Sequence, residues 1–310
     1  NIKSIKKAWK EVKGKSDIVV ALTHLALDQD ERILRKVKHI RLIMGGHEHK
    51  HNYVTVRKGA IAKADANAKT MYRHLLFRSG KRGEIQIISD LVEVDTTVAP
   101  DPVTAAAVKE WEDKAYVAFR SVGLEPDAIV YQPKEPLDGT EASMRYKQTN
   151  LGNLIAQSML AASSKSDAAV FNSGSVRIDD MVEGVISQLD IIRMLPFGGR
   201  LLEVELTGTL LNQMLTTSDH LKGLGGYLQV SDNVSFDGTS WLINNSAIDK
   251  PKVYSIIAPE YLFTGLEKGL EFLKEGNPEI RSLKRFDAPA DIRGDIRLAV
   301  VRYLQSLPTL

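Results

Sequence analysis

Three polar turns stand out in this chain: Arg145-Tyr-Lys-Gln-Thr-Asn150-Leu-Gly-Asn153, Phe171-Asn-Ser-Gly-Ser-Val-Arg177 and Leu195-Pro-Phe197-Gly-Gly199. They supply two arginines, several side-chain amides, small residues in a turn and an aromatic ring after a proline. Guanidinium groups match phosphate oxygens and stay charged at any working pH. Glycine turns let backbone N–H groups approach an anion, and an exposed Phe can stack on a flat ring. The three turns therefore predict a site for a phosphorylated compound with a ring.

Bulk composition narrows the class of protein. The chain has 310 residues, of which 43% are hydrophobic and 26% charged, values typical of a globular protein with two domains. The 41 basic and 39 acidic residues give a net charge of +2, so nothing global attracts nucleic acid or a membrane. No run approaches the roughly 18 apolar residues of a membrane span. With 0 cysteines, any metal must be held by nitrogen and oxygen ligands.

Residues 1–98 read as one domain. The first residue is Asn1, and the chain resembles the later part of a longer polypeptide. Apolar runs at Ile18–Leu22 and Ile40–Met44 predict buried strands, and Asp28–Val37 has helical spacing. Strand, helix and strand in this order bring the two strand ends to one edge of a sheet.

Histidines lie just after both predicted strands. His24 follows the first, and Gly45-Gly-His47-Glu-His49 follows the second. Residues two apart in extended backbone point the same way, so His47 and His49 can serve one cluster with His24, as ligands of a divalent transition metal. The alternative is that these histidines face solvent in loops by chance. We favour metal ligation.

The remaining elements predict a linker within residues 99–122 and a second domain over residues 123–310. Strands are predicted at Tyr53–Arg57, Ala60–Lys63, Met71–Phe77 and Glu84–Asp95, and the linker helix at Val103–Arg120. In the second domain we predict helices at Asn150–Ser163, Thr207–Leu215 and Asp291–Ser306, and a further helix that begins after an N-cap at Ser187. Strands are predicted at Ala168–Phe171, Arg200–Leu206 and Tyr254–Ala258. Tyr227–Ser231 and Val234–Phe236 are predicted to pair as a hairpin.

These motifs resemble a known family. Leu22-Thr-His24 with Gly46-His47-Glu-His49 is similar to the last two motifs of the calcineurin-like metallophosphoesterases. Joined to residues 145–208, the pattern resembles the two-domain 5′-nucleotidase family, which includes UDP-sugar hydrolases and cyclic-nucleotide phosphodiesterases. The resemblance spans most of the chain. It implies an α/β (α+β) fold: the C-terminal part of a metallophosphoesterase αββα sandwich, a linker helix, and a mixed-sheet 5′-nucleotidase C-terminal domain that binds nucleotide.

The resemblance also implies metal chemistry. Family members use two divalent ions (Zn, Mn, Mg or Ca) to activate a bridging water that attacks phosphorus. By position, His24 and His47 correspond to ligands of one ion and His49 to a ligand of the other. The family's earlier Asp-x-His, Gly-Asp-x-x-Asp and Gly-Asn-His-Glu motifs are absent from this sequence. We therefore expect this chain alone to be inactive or nearly so, with its catalytic residues upstream, although it derives from a phosphoric ester hydrolase.

Seven residues correspond to the family's substrate contacts. Arg145 and Arg177 would bind phosphate, and Asn172 and Gly174 would position the nucleoside. Phe197 and Tyr261 would clamp the base. The carboxylate of Glu267 would replace the family's aspartate, which binds the ribose hydroxyls. Because that carboxylate is one methylene longer than the family's aspartate, the preferred substrate stays open. For Asn150 and Asn153 we favour a structural role at the start of the following helix. For Phe197, the alternative to stacking on the base is packing in the hydrophobic core.

Two alternatives to a nucleotide phosphohydrolase remain: a noncatalytic nucleotide-binding or surface-interaction module, and a hydrolase of UDP-sugars or cyclic nucleotides. In each case the expected partner is a nucleotide or nucleoside, not a nucleic acid. The resemblance implies export to a periplasm or cell surface.

Overall fold

The computed structural model describes residues 2–78, 83, 85–288 and 290–308. The chain divides into two compact units, Asn1–Ala106 and Ala107–Leu310. This division falls inside the helix Pro102–Ser121, in the stretch predicted as a linker. None of the helices in the described ranges is long and apolar enough to cross a membrane.

The described residues of the first unit form two α-helices, six strands and a short 3-10 helix at Ala66–Ala68. Its elements are α1 (Ile2–Val12), β1 (Ala21–Thr23), α2 (Leu27–Lys36), β2 (Leu42–Gly45), β3 (Asn52–Val56), β4 (Gly59–Lys63), β5 (Thr70–Arg78) and β6 (Ile85–Glu93). A four-stranded sheet has the order β1-β2-β4-β3, in which β1, β2 and β4 run parallel and β3 antiparallel. Strands β5 and β6 pair antiparallel in a separate sheet.

Most elements of this unit follow the apolar pattern. Ile33 and Leu34 of α2 pack on Ile43 of β2 and Ile61 of β4, so one helix face and the middle of the sheet form the core. The first predicted strand, Ile18–Leu22, is wrong in extent, because only Ala21–Thr23 pairs with β2. Glu84, the first residue of another predicted strand, lies outside the described residues.

The second unit contains the larger mixed sheet. Its elements are α3 (Pro102–Ser121), β7 (Ile129–Tyr131), β8 (Leu137–Asp138), α4 (Glu141–Met144), α5 (Asn150–Ala161), β9 (Ala168–Asn172), β10 (Met181–Val182), β11 (Ile186–Ser187), α6 (Gln188–Met194), β12 (Leu201–Thr207), α7 (Gly208–Asp219), β13 (Leu228–Val230), β14 (Val234–Phe236), β15 (Trp241–Ile243), β16 (Ser246–Ala247), β17 (Val253–Pro259), β18 (Ile280–Lys284) and α8 (Ile296–Ser306).

The five-stranded sheet has the order β13-β9-β17-β12-β18, with β9 and β17 parallel and the other neighbours antiparallel. Both faces are covered, because alternate residues of β9 enter different cores. Ala169 and Phe171 join the core with α5, α6 and α8, whereas Ala168 and Val170 join the core with α7. Burial on both faces explains the uninterrupted apolar run of this strand. The predicted mixed α/β class is confirmed.

The predicted hairpin of Tyr227–Ser231 with Val234–Phe236 is wrong. Strand β13 pairs with β9, and β14 pairs with β15 in another sheet. All three residues of β13 are buried, so this segment belongs in the central sheet, whereas two of the three residues of β14 are exposed. The two segments are close in sequence, which suggested that they pair with each other. Burial of β13 beside β9 in the central sheet outweighs this local preference.

Candidate functional site

A cavity of about 560 Å³ opens in the second unit. Its lining includes all seven residues predicted to contact substrate: Arg145, Asn172, Gly174, Arg177, Phe197, Tyr261 and Glu267. The volume lies in the range of small-molecule sites. The tertiary structure thus brings to one place side chains that the sequence separates into five segments.

Glycines allow two loops to cross at the wall of this cavity. Asn172 ends β9, and the following turn, Ser173–Ser175, brings Gly174 to Gly225, where its N–H donates to the Gly225 carbonyl at 2.9 Å. A Cβ added at Gly174 would lie 3.1 Å from the Cα of Gly225. Gly225 also lines the cavity and was not predicted. The only signal for it in the sequence is the glycine-rich run of residues 223–226.

Arg177 and Phe197 are brought near each other by helix α6. The predicted N-cap is confirmed, since Ser187 forms a capping box with Asp190. At the other end of the helix, the Arg177 N–H donates to the Met194 carbonyl at 2.9 Å. Phe197 follows in a turn and is 71% exposed, so the alternative of a core residue is wrong.

The two arginines of the cavity differ in their surroundings. Arg145 Nη1 lies 2.9 Å from Glu141 Oε1, one helical turn earlier. Arg177 is exposed and, among the residues that the structure describes, makes no ion pair. A bound anion can therefore approach Arg177 directly, but competes with Glu141 for Arg145.

A buried carboxylate closes another side of the cavity. Glu267 is 8% exposed, and its Oε2 accepts a hydrogen bond from Asn172 Nδ2 at 2.9 Å. Burial raises the pKa of Glu267, and the bond from Asn172 opposes this only in part. Tyr261 is 46% exposed, and burial, followed by the nearby Glu267, raises the pKa of its phenol. The cavity thus combines cations, exposed rings and a carboxylate acceptor.

Two polar residues of the predicted motifs, Asn150 and Thr207, serve the fold rather than the cavity. Asn150 Oδ1 accepts the Asp138 N–H at 2.7 Å, and its Nδ2 donates to the Pro136 carbonyl at 2.9 Å. The structural role expected for Asn150 is confirmed, but the N-cap of α5 is Thr149. Thr207 caps α7, so the predicted helix start there is confirmed.

The first unit brings two of the three predicted metal-ligating histidines together. Because β1 and β2 are parallel and Thr23 pairs with Gly45, His24 and His47 follow adjacent strand ends. Their ring centroids are 5.5 Å apart. The expectation that His47 and His49 point the same way from extended backbone is wrong, because both have positive φ, 90° and 57°, in a turn.

The three histidines do not form a complete metal-binding site with the other residues that the structure describes. Within residues 2–78, 83, 85–288 and 290–308, no group of three or more His, Asp or Glu side chains is arranged to hold an ion. His24 and His47 form a pair of neighbouring imidazole rings, and no third described His, Asp or Glu completes a metal-binding group with them. The residues present therefore do not fit two divalent ions by themselves, and the ligand roles of the three histidines stay a prediction.

A buried lysine that was not predicted holds the histidine-bearing loops. Lys63, at the end of β4, is 1% exposed. Its Nζ donates to the carbonyl oxygens of Leu25 and Gly46 at 2.6 and 3.0 Å, and to Glu48 Oε2 at 2.5 Å. Leu25 follows His24, Gly46 precedes His47, and Glu48 separates His47 from His49. One ammonium group thus ties both loops together.

Two carboxylates balance this ammonium group. Asp30 Oδ2 lies 3.0 Å from Lys63 Nζ as an ion pair, although neither Asp30 oxygen has a well-aligned hydrogen bond in the described part of the chain. Burial alone would raise the pKa of Glu48, but hydrogen bonds from Lys63 and the Leu27 N–H outweigh it and lower that pKa. The signal in the sequence was a lysine ending the apolar run Ala60-Ile-Ala-Lys63.

Fold and cavity together define a two-unit, mixed-sheet α/β protein with a cationic, ring-lined pocket in its second unit. Residues 129–275 match the family described as "5'-nucleotidase, C-terminal domain". The resemblance to the 5′-nucleotidase family is thereby confirmed, and the chain covers the C-terminal part of such proteins.

Individual relatives agree with this assignment. The human 5′-nucleotidase is 26% identical over 68% of this chain and 42% of its own length. A trifunctional nucleotide phosphoesterase of Bacillus subtilis is 29% identical over 69% of this chain and 15% of its own length. The crystal structure of a 5′-nucleotidase precursor from Thermus thermophilus superposes with a TM-score of 0.72 at 20% identity, over 98% of this chain and 64% of that one. The chain thus spans only about half the length of its relatives, or less.

Proposed function

We propose that this chain is the nucleotide-binding, C-terminal portion of a nucleotide phosphohydrolase. The observation that carries the proposal is the convergence of all seven predicted contact residues on one cavity of about 560 Å³. The names of the relatives, 5′-nucleotidase and nucleotide phosphoesterase, support the substrate class.

In this proposal each part of the cavity has a separate task. Arg145 and Arg177 bind the phosphate through charge-assisted hydrogen bonds. Phe197 and Tyr261, both substantially exposed, stack on the base. Glu267, already oriented by Asn172, accepts hydrogen bonds from sugar hydroxyls.

We further propose that the described residues bind nucleotide without hydrolysing it at a useful rate. His24 and His47 would contribute imidazole to a divalent ion, and imidazole suits Zn better than Mn, Mg or Ca. A reactive centre needs further ligands, including carboxylates, and no third His, Asp or Glu side chain of the described residues completes a metal-binding group with His24 and His47. Export of the complete protein stays a prediction, supported by the description of the Thermus relative as a precursor.

The test is a calorimetric titration of the purified chain with AMP, adenosine and UDP-glucose. We expect saturable binding of AMP. Since a hydrogen bond to a charged group contributes about 1.5–3 kcal/mol, Arg177→Met should weaken AMP binding roughly tenfold or more and leave adenosine unaffected. Phe197→Ala should weaken both ligands. Arg281→Met, at an exposed position outside the cavity, is the matched control.

The outcomes separate the alternatives. Preference for UDP-glucose over AMP indicates a sugar-nucleotide enzyme. If none of the three compounds binds saturably, the proposal is wrong. Turnover of AMP is measured in parallel with added Mn²⁺ or Zn²⁺. Rapid hydrolysis by this chain would contradict the expected inactivity, while leaving the binding site in place.

A further inference from the structure

Arg145 depends on a short turn that a buried glutamine holds from behind. Gln229 lies in the middle of β13 and is fully buried, with 0% exposure. Its Nε2 donates to the carbonyl oxygens of Met144 and Lys147, both at 2.7 Å. Its Oε1 accepts the Thr149 N–H at 3.1 Å. One side chain thus makes three hydrogen bonds to the backbone on both sides of Arg145.

The chemistry of the amide group suits this task. Two carbonyl oxygens need donors and one N–H needs an acceptor, and a glutamine amide supplies two donors and an acceptor in a single group. A glutamate has no donor when ionised, and an apolar side chain leaves three buried backbone groups without partners. The fit is close, because a Cβ added at Gly152 would lie 2.0 Å from Gln229 Oε1.

Two other residues, Gln148 and Gly223, hold the same turn. Gln148 Nε2 donates to the Leu228 carbonyl, and its Oε1 accepts the Val230 N–H, each at 2.9 Å. Gln148 thereby pairs with the outer edge of β13 as a neighbouring strand would. On the other side, the Arg145 carbonyl accepts the Gly223 N–H at 2.8 Å. Gln229 itself does not line the cavity.

We propose that Gln229 is a positioning residue, which holds Arg145 where its guanidinium group meets the phosphate of a nucleotide. This inference rests on the proposed function. It concerns the anionic end of the ligand only, since neither the base-stacking rings nor Glu267 is held by Gln229. A positioning residue of this kind affects phosphate-bearing ligands and leaves the nucleoside alone.

The experiment compares AMP and adenosine affinities by calorimetry in the wild-type chain, Gln229→Met, Arg145→Met and the double variant. We expect Gln229→Met to weaken AMP binding about tenfold and adenosine binding less than twofold, in the direction of Arg145→Met. The double variant should bind AMP no more weakly than Arg145→Met alone, because both changes remove the same interaction.

Controls separate positioning from stability. Leu211→Ala removes a buried side chain of α7, destabilises the same unit, and should not change the ratio of AMP to adenosine affinity. If Gln229→Met does not fold, Gln148→Met, at the exposed edge of the turn, should shift that ratio in the same direction by a smaller factor.

Two results would overturn the inference in different ways. If wild type binds AMP and these glutamine variants bind it equally well, the positioning role is wrong and the proposed function stands. If wild type binds neither AMP nor adenosine, the proposed function is wrong, and this role is wrong with it.

Discussion

Single residues account for the electrostatic character of the cavity. Glu267 is buried beside Asn172, although its position 95 residues away in sequence gives no hint of that contact. Arg145 and Arg177 carry the same charge, but within the described part of the chain only Arg145 forms an ion pair, with Glu141. Of the two arginines proposed to bind phosphate, Arg145 is thus already paired with a protein group.

The raised pKa of Glu267 predicts a pH-dependent effect of Glu267→Gln. The folded state holds the proton of this carboxyl group more tightly than the unfolded state, whose pKa is the ordinary 4.5. The free energy of unfolding therefore falls as pH rises from 4.5 through the raised folded-state pKa. We therefore expect Glu267→Gln to raise the unfolding midpoint at pH 8 and to change it little at pH 4. Urea unfolding at both pH values checks this, with Glu183→Gln, at an exposed position of the same unit, as the control. Equal effects of Glu267→Gln at both pH values would contradict the assignment.

Glu141→Gln should strengthen phosphate binding. The variant removes the competing charge from Arg145, and exposed ion pairs of this kind contribute about 0–1 kcal/mol, so AMP affinity should rise by up to about fivefold. Adenosine affinity should not change. Glu183→Gln makes the same change of net charge at an exposed site and serves as the control in the calorimetric titration. A fall in AMP affinity would show that Glu141 orients Arg145 instead of competing for it.

At the scale of elements, buried polar side chains join segments that hydrophobic packing alone leaves undefined. Lys63 ends β4 and connects the loops that follow β1 and β2. Gln229 in β13 connects the central sheet to the turn before α5. In both cases a strand contributes a fully satisfied polar group, and the loop that this group holds carries at least one residue of a candidate site.

Lys63→Met should destabilise the first unit strongly. The substitution leaves Asp30 and Glu48 without their cation, and Asp30 is fully buried. Removing one partner of a buried ion pair costs about 3–5 kcal/mol. Lys3→Met, at an exposed position of α1, should cost less than about 0.5 kcal/mol. Urea unfolding followed by the fluorescence of Trp9 measures both, and equal midpoints for the two variants would contradict a structural role for Lys63.

At the scale of the whole molecule, the chain contains two compact units with separate cores. The cavity and its seven predicted contacts lie in the second unit, and the three histidines lie in the first. Because ligand binding stabilises only the unit that contains the site, the two units should respond differently to nucleotide.

We predict that AMP raises the unfolding midpoint of the second unit only. At a concentration of about 100 Kd the expected stabilisation is about 2.7 kcal/mol. Trp9, which stacks on His39, reports the first unit, and Trp241, beside Phe236, reports the second. Two variants, each retaining one of these tryptophans with the others changed to Phe, separate the signals. Equal shifts for both tryptophans would show that the units unfold together.

The amino-acid sequence by itself determined the local features: helices α2, α5 and α6, the N-cap at Ser187 and the mixed α/β class. Through the family resemblance it also named seven residues that the structure places around one cavity. These follow from short-range effects, since apolar spacing and capping act within a few residues, and motif residues are recognised by type and order.

Only the tertiary structure decided which distant groups meet. The pairing of β13 with β9, the burial of Glu267 and the ion cluster of Lys63 depend on contacts between remote segments. Such contacts are set by competition among many buried surfaces and by left-handed turn geometry, as at His47 and His49, which side-chain periodicity does not encode. The position of Arg145 is the clearest example, because it depends on Gln229, a buried residue in a strand that was predicted to pair elsewhere.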